Sequence, residues 1–248
     1  MRLLFTLLLA AALSPTWACS RVLVVPLAQA NRETSGYDFA EVLREQGLKR
    51  GCRFEFPVVP RARLQMMLST GQADLMIPAT RTAERDALAR FVPLLSMRPE
   101  LAWVPGRGAM PESLAALTAQ GAVRGAFVRG QSWGPSYEAM IDTLRRANRV
   151  DLVADLATVL RMLAAERAEF TISMPGILKA AAAQDASLTA VVNQLQFKPL
   201  PDLAPVETGI YLSRRSLSEA EQDALAAWLK EIFDPATLQR VRGGRAGQ

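Results

Sequence analysis

No histidine occurs among the 248 residues. That removes the commonest general base, every Ser-His or Cys-His nucleophile pair and the usual zinc ligands. Acid–base chemistry would have to rest on carboxylates, lysine or arginine. Two cysteines remain, Cys19 and Cys52. Among the arginines, Arg85 stands out in Thr82-Ala83-Glu84-Arg85. It falls in the first turn of a short helix expected over 82–89, with Thr82 as N-cap and Glu84 and Asp86 beside the positive helix end. Arg81 and Ala89, four positions to either side, offer it no ion pair. A guanidinium so placed is suited to a carboxylate, to which it gives two parallel charge-assisted hydrogen bonds while staying ionised.

The chain start bears on where such chemistry would operate. Arg2 precedes an apolar run over 3–13, then Ser14-Pro15 and Thr16-Trp17-Ala18. A basic tip, a short apolar run and a small residue before a cut describe a secretory signal peptide over 1–18. The run is about half the roughly 20 apolar residues that a membrane-spanning helix needs. An exported, periplasmic product is expected. Cys19 and Cys52 then read as a disulfide, since the count is even and the compartment oxidising. Lipidation of Cys19 is the competing reading, against which Thr16 stands three residues before it. The composition is 50% hydrophobic, enough for one or two domains with real cores. The formal charge of +5 is spread along the chain. No basic stripe or motif for nucleic acid is present, and no cofactor is expected.

Strands and helices alternate, the pattern of an α/β fold. Strands are expected over 21–25, 54–59, 75–78, 122–128, 150–153, 170–173 and 208–213. Helices are expected over 37–49, 62–70, 82–89, 136–147, 156–165 and 218–233. The last of these carries Ser218 and Glu221 as a capping box. Pro-containing joints at 104–110 and 199–205 divide the string into two blocks, and 243–248 reads as a tail.

The residues themselves carry a family resemblance. Gly71-Gln72-Ala73-Asp74-Leu75-Met76-Ile77, then Thr82-Ala83-Glu84-Arg85 and Phe91, resembles the pattern of bacterial extracellular solute-binding proteins of family 3. Gly36-Tyr37-Asp38-Phe39 resembles that family's entry to its first helix, and Gly130-Gln131-Ser132-Trp133-Gly134 its second-lobe loop. Leu163-Ala164-Ala165-Glu166-Arg167-Ala168-Glu169-Phe170 is similar to a further motif, with Glu166 and Glu169 in place of Gly and Asp. The resemblance spans nearly the whole mature chain. It implies a type II periplasmic-binding-protein fold: two α/β lobes, 19–104 plus 206–248 and 105–205, joined by two hinge crossings around a cleft. Hinges are expected at Val104 and Pro105 and over 201–206.

The same resemblance makes Arg85 the residue that forks onto a ligand carboxylate. Thr80 and the second-lobe Ser132 become cleft contacts, and Trp133 a contact or hinge packing. Departures matter too. Met174 falls where amino-acid binders carry an acid for the ligand ammonium, and Arg61 falls near the place of an aromatic platform. A cleft without that acid and with a second arginine suggests an anionic ligand held by Arg85 and Arg61; Arg61 on the solvent face of its helix is the alternative. The expected partner is a small molecule, an amino acid or organic acid, with a membrane permease or sensor beyond it and the chain a monomer. Two other readings stay open. One is a sensor or accessory scaffold of the same fold. The other is a dehydratase-like enzyme, with Glu169, Glu207 or Asp155 as acids that no motif singles out.

Overall fold

A computed structural model of the chain describes residues 19–28, 39–183 and 185–234. The signal segment, the Gly36-Tyr37-Asp38 part of the helix entry and the C-terminal tail lie outside the described residues.

Proline decides how the first strands break up. The run at 21–25 yields β1 (Leu23–Val24), and beyond Pro26 the chain resumes as β2 (Leu27–Ala28). After α1 (Phe39–Lys49), the single strand expected over 54–59 is likewise split at Pro57 into β3 (Phe54–Glu55) and β4 (Val58–Val59). Proline lacks the N–H that a ladder needs, yet its carbonyl still accepts: Leu27 N–H donates to Pro57 O at 2.9 Å. β1 pairs with β3, and β2 with β4, both in parallel. α2 (Arg61–Thr70) ends at Gly71, which takes the left-handed conformation (φ 75°) that its lack of a Cβ permits. β5 (Leu75–Thr80), α3 (Ala83–Leu88) and β6 (Ala89–Met97) follow.

Next come β7 (Glu100–Trp103), α4 (Leu114–Ala119), β8 (Gly125–Val128), α5 (Pro135–Arg146), β9 (Val150–Val153), α6 (Leu156–Ala164), β10 (Phe170–Ser173), α7 (Pro175–Ala182), α8 (Ala186–Gln194) and β11 (Gln196–Lys198). β12 (Val206–Ser213) and α9 (Glu219–Ile232) complete the described chain. The capping box of Ser218 and Glu221 is present at the start of α9.

The strands build two larger sheets, ordered β5-β12-β6 and β11-β7-β10-β8-β9. The first is antiparallel. One core beside it joins Leu75, Ile77, Ile210 and Leu212 to α1 and α9, and a second joins Met76 and Tyr211 to Leu64 and Leu68 of α2. In the other sheet β8, β9 and β10 run parallel, with α4 and α5 over one core and α6, α7 and α8 over another. The chain passes between the sheets at Arg98 and Pro99, because β7 pairs antiparallel with β10 and β11. That is earlier than Val104 and Pro105, the point expected from sequence. The return passage, 199–205, overlaps the expected one.

Two ties hold the N-terminal end. Cys19 and Cys52 form a disulfide, S–S 2.04 Å, so the sulfur that a lipid anchor would need is in that bond. Asp74, 2% exposed, accepts from Arg21 at 2.8 Å and from Val24 N–H at 2.7 Å. Burial pushes its carboxyl up, but the Arg21 hydrogen bond, with help from Ser216 and Val24, holds it below the usual range. A depressed carboxylate stabilises the fold above its unfolded pKa of about 3.9, and that contribution is lost as pH falls through the folded value. Asp74→Asn is therefore expected to cost about 2–4 kcal/mol at neutral pH. The gap from wild type should narrow below about pH 4. Urea titrations at both pH values check this; a gap constant with pH would contradict it.

Candidate functional site

Arg85 is placed by local chemistry. Thr82 Oγ1 accepts from Arg85 N–H at 3.3 Å, which starts α3 directly after β5 and turns the guanidinium inward, to 3% exposure. Its Nη1 donates to Thr80 O at 2.8 Å, its Nε to Gln65 Oε1 at 3.4 Å and its Nη2 to Gly130 O at 3.4 Å. One side chain thus ties β5, α2 and the loop after β8. A guanidinium carries five N–H donors, so two remain after these bonds. Burial lowers the Arg85 pKa, opposed by Tyr211, Glu84 and Glu138; arginine stays charged under such a shift.

The loop on the far side is glycine-dependent. Gly130 has φ 78°, and a Cβ there would stand 3.0 Å from Ala62 Cα, so the loop rests on the start of α2. Ser132, 5% exposed, accepts from Gly134 N–H at 3.3 Å just before α5. Trp133 is buried and its Nε1 donates to Ile172 O at 3.0 Å, which anchors the loop to β10.

Between α3 and α5 lies a cavity of about 770 Å³. Arg81, Glu84 and Arg85 line one wall; Gln131, Ser132 and Glu138 line the other, with Pro205, Val206 and Glu207 between them. Arg81 bonds Asp86 and Glu207, each at 2.9 Å. Tyr211 Oη donates to Asp86 at 2.8 Å and accepts from Thr82 N–H at 3.1 Å, a brace behind the rim. Glu84 accepts from Gln65 Nε2 at 2.6 Å. Among the described residues, no hydrogen bond or ion pair takes the Glu138 carboxylate.

Of the residues singled out from sequence, Arg85 and Ser132 line this cavity. Thr80 meets Arg85 through its carbonyl, while Trp133 packs behind the loop. Arg61 is half-buried at the start of α2; desolvation, reinforced by the charge of Arg85 and opposed by Tyr137, pushes it down to about 10. It lies within the field of Arg85 but is not part of the cavity lining. Met174 precedes α7 and packs against the core with Ile172 and Val206. Glu169 accepts from Arg124 N–H at 2.7 Å and Asp155 caps α6, whereas Glu207 reaches the cavity ion-paired to Arg81. Sequence reasoning missed Glu138 and Arg145; their positions seven apart on an amphipathic helix were the available signal. No group of three or more metal-ligating side chains occurs among the described residues.

Two wound α/β sheets joined by two passages, with a cavity beside them, define the fold of type II periplasmic binding proteins. Solved structures with this fold include an ancestral arginine-binding protein bound to arginine, with a TM-score of 0.68 and 15% identity over 90% of this chain and 97% of that one. EhuB in complex with hydroxyectoine matches with a TM-score of 0.67 and 16% identity over 85% and 82%. An ancestral amino acid-binding protein, a precursor of cyclohexadienyl dehydratase, matches at 0.65 and 17% over 90% and 94%. No protein-family model matches the sequence, and no curated protein matches it. At these identities the likeness establishes the fold.

Proposed function

We propose that this chain is an exported solute-binding protein that holds a small carboxylate-bearing molecule between two lobes, one on each sheet, and delivers it to a membrane permease. The observation that carries this reading is Arg85, buried at the cavity wall with two donors uncommitted. Its bond to Gly130 O joins the two sides, so ligand capture and lobe closure act on one side chain. The fold's relatives bound to arginine and hydroxyectoine support a solute-binding role. Glu207 is held by Arg81, an arrangement that suits a rim more than a general base.

The lining of the cavity also bears on the ligand. A purely anionic preference rested on the missing acid at Met174, yet Glu84 and Glu138 supply carboxylates from α3 and α5. A zwitterion, carboxylate toward Arg85 and ammonium toward Glu138, satisfies both signs. In a thermal-shift panel of amino acids, organic acids and short peptides, zwitterions are expected to stabilise the mature protein. At a hundred times Kd the gain is about 2.7 kcal/mol, or roughly 5–10 °C for a chain of this size. Stabilisation by simple organic anions alone would overturn the zwitterion assignment, and stabilisation by no compound at millimolar concentration would overturn the proposal as a whole.

A further inference from the structure

We infer that Gln65 is a positioning residue for the carboxylate site: its neutral carboxamide holds the Arg85 guanidinium without cancelling its charge, which is left for the ligand. The inference rests on the solute-binding reading. Gln65 is half-buried on α2, whose Leu64 and Leu68 pack against Met76 and Tyr211, and it lines the cavity together with Arg85. Its carboxamide bridges two residues of α3. Oε1 accepts from Arg85 Nε at 3.4 Å, and Nε2 donates to Glu84 at 2.6 Å. Only this sense of the bridge works, because a guanidinium offers no acceptor and an ionised carboxylate no donor.

All three acceptors bonded to Arg85 are neutral: Gln65 Oε1, Thr80 O and Gly130 O. Glu84 and Glu138 act on it through space, and among the described residues no carboxylate forms an ion pair with it. A cation this deeply buried is costly unless an opposite charge reaches it. Here the ligand supplies that charge, whereas Gln65→Glu would supply it from within the chain. Gln65 also restricts how the ligand approaches. Because Nε is spent on the carboxamide, the two N–H groups left over belong to the terminal nitrogens. A ligand that took Nε would have to displace Gln65.

The double variant Gln65→Glu/Glu84→Gln tests this in the mature protein. It keeps a carboxamide–carboxylate pair, the side-chain sizes and the net charge, and changes only which of the two groups faces Arg85. Melting is read with and without an equimolar mixture of the common amino acids at millimolar concentration. Without the mixture, the double variant should melt within roughly 4 °C of wild type, the span expected for one exposed polar pair. With it, the gain seen in wild type should nearly vanish, since affinity falls about a hundredfold once the guanidinium is already paired. Glu84→Gln alone leaves a neutral group on Arg85 and should keep most of the gain. Gln65→Glu alone should lose it, which keeps the test valid if the double variant fails to fold. A double variant that gains as much as Glu84→Gln, or a Glu84→Gln that loses the gain by itself, overturns the inference and leaves the solute-binding reading standing. Wild type that no amino acid stabilises overturns the inference, and with silence from organic acids and peptides as well the solute-binding reading falls with it.

Discussion

Arg85→Ala is expected to abolish ligand-induced stabilisation and to weaken ligand binding by about two orders of magnitude, as loss of a two-bond charged contact does. The same change strips the donors from Thr80 O and Gly130 O. Of the two, Thr80 is buried, and a buried carbonyl left without a partner costs about 1–3 kcal/mol, so the apo protein should melt roughly 2–12 °C lower. Arg85→Lys separates the two effects. Lysine keeps the charge as a single point but loses the planar fork, so it should recover much of the stability and little of the affinity. Calorimetric titration and melting of both variants read the two effects independently. Retention of ligand-induced stabilisation in Arg85→Ala would remove this residue from the carboxylate site.

Replacing both cysteines by serine is the second change with a large expected effect. The bond joins residues 33 apart, and closing a loop of that length stabilises by roughly 3–4 kcal/mol in the chain-entropy model. Cys52 is buried beside the end of α1, and Cys19 packs against the core that α1 and α9 cover. The double variant should unfold at lower denaturant, with a melting point down by roughly 6–15 °C. Ligand affinity should hold, since the bond lies apart from α3 and α5. A melting point within a degree of wild type would mean that Arg21 and Asp74 already hold this end without it.

The sequence made α5 and α6 legible because their apolar residues recur with helical spacing: α6 buries Leu156, Val159, Leu160 and Leu163 on one face. β9 and β10 fall where their β-branched and apolar runs place them. β6 was not legible. Its sequence holds Pro93, which argues against a strand, and its alternation is poor. It is tolerated because β6 is an edge, paired with β12 alone. β12 meets it with Gly209, where a Cβ would come within 2.0 Å of Val92 O. α7 and α8 were also missed, since the alanine-rich stretch around 180–183 blurs apolar contrast. Of the site, Arg85 was legible through a motif and its cap. Glu138 looked like an ordinary acid in the first turn of a helix, and Arg145 like a basic residue in the last. Only the packing of α5 across from α3 brings them to one cavity.

The position of β12 sets the order in which this molecule can be assembled. The five-stranded sheet comes from one continuous stretch, Glu100 to Lys198, and has every partner as soon as that stretch is free to fold. The sheet made by the earlier strands does not, because β12, the last strand among the described residues, lies between β5 and β6. Until it arrives, Leu75, Ile77 and Val92 lack Ile210 and Leu212 to pack against. A growing chain therefore keeps its oldest apolar strands uncovered the longest. Holding chaperones would find their targets near its N-terminus, and the two halves mature in the reverse of the order in which they are made.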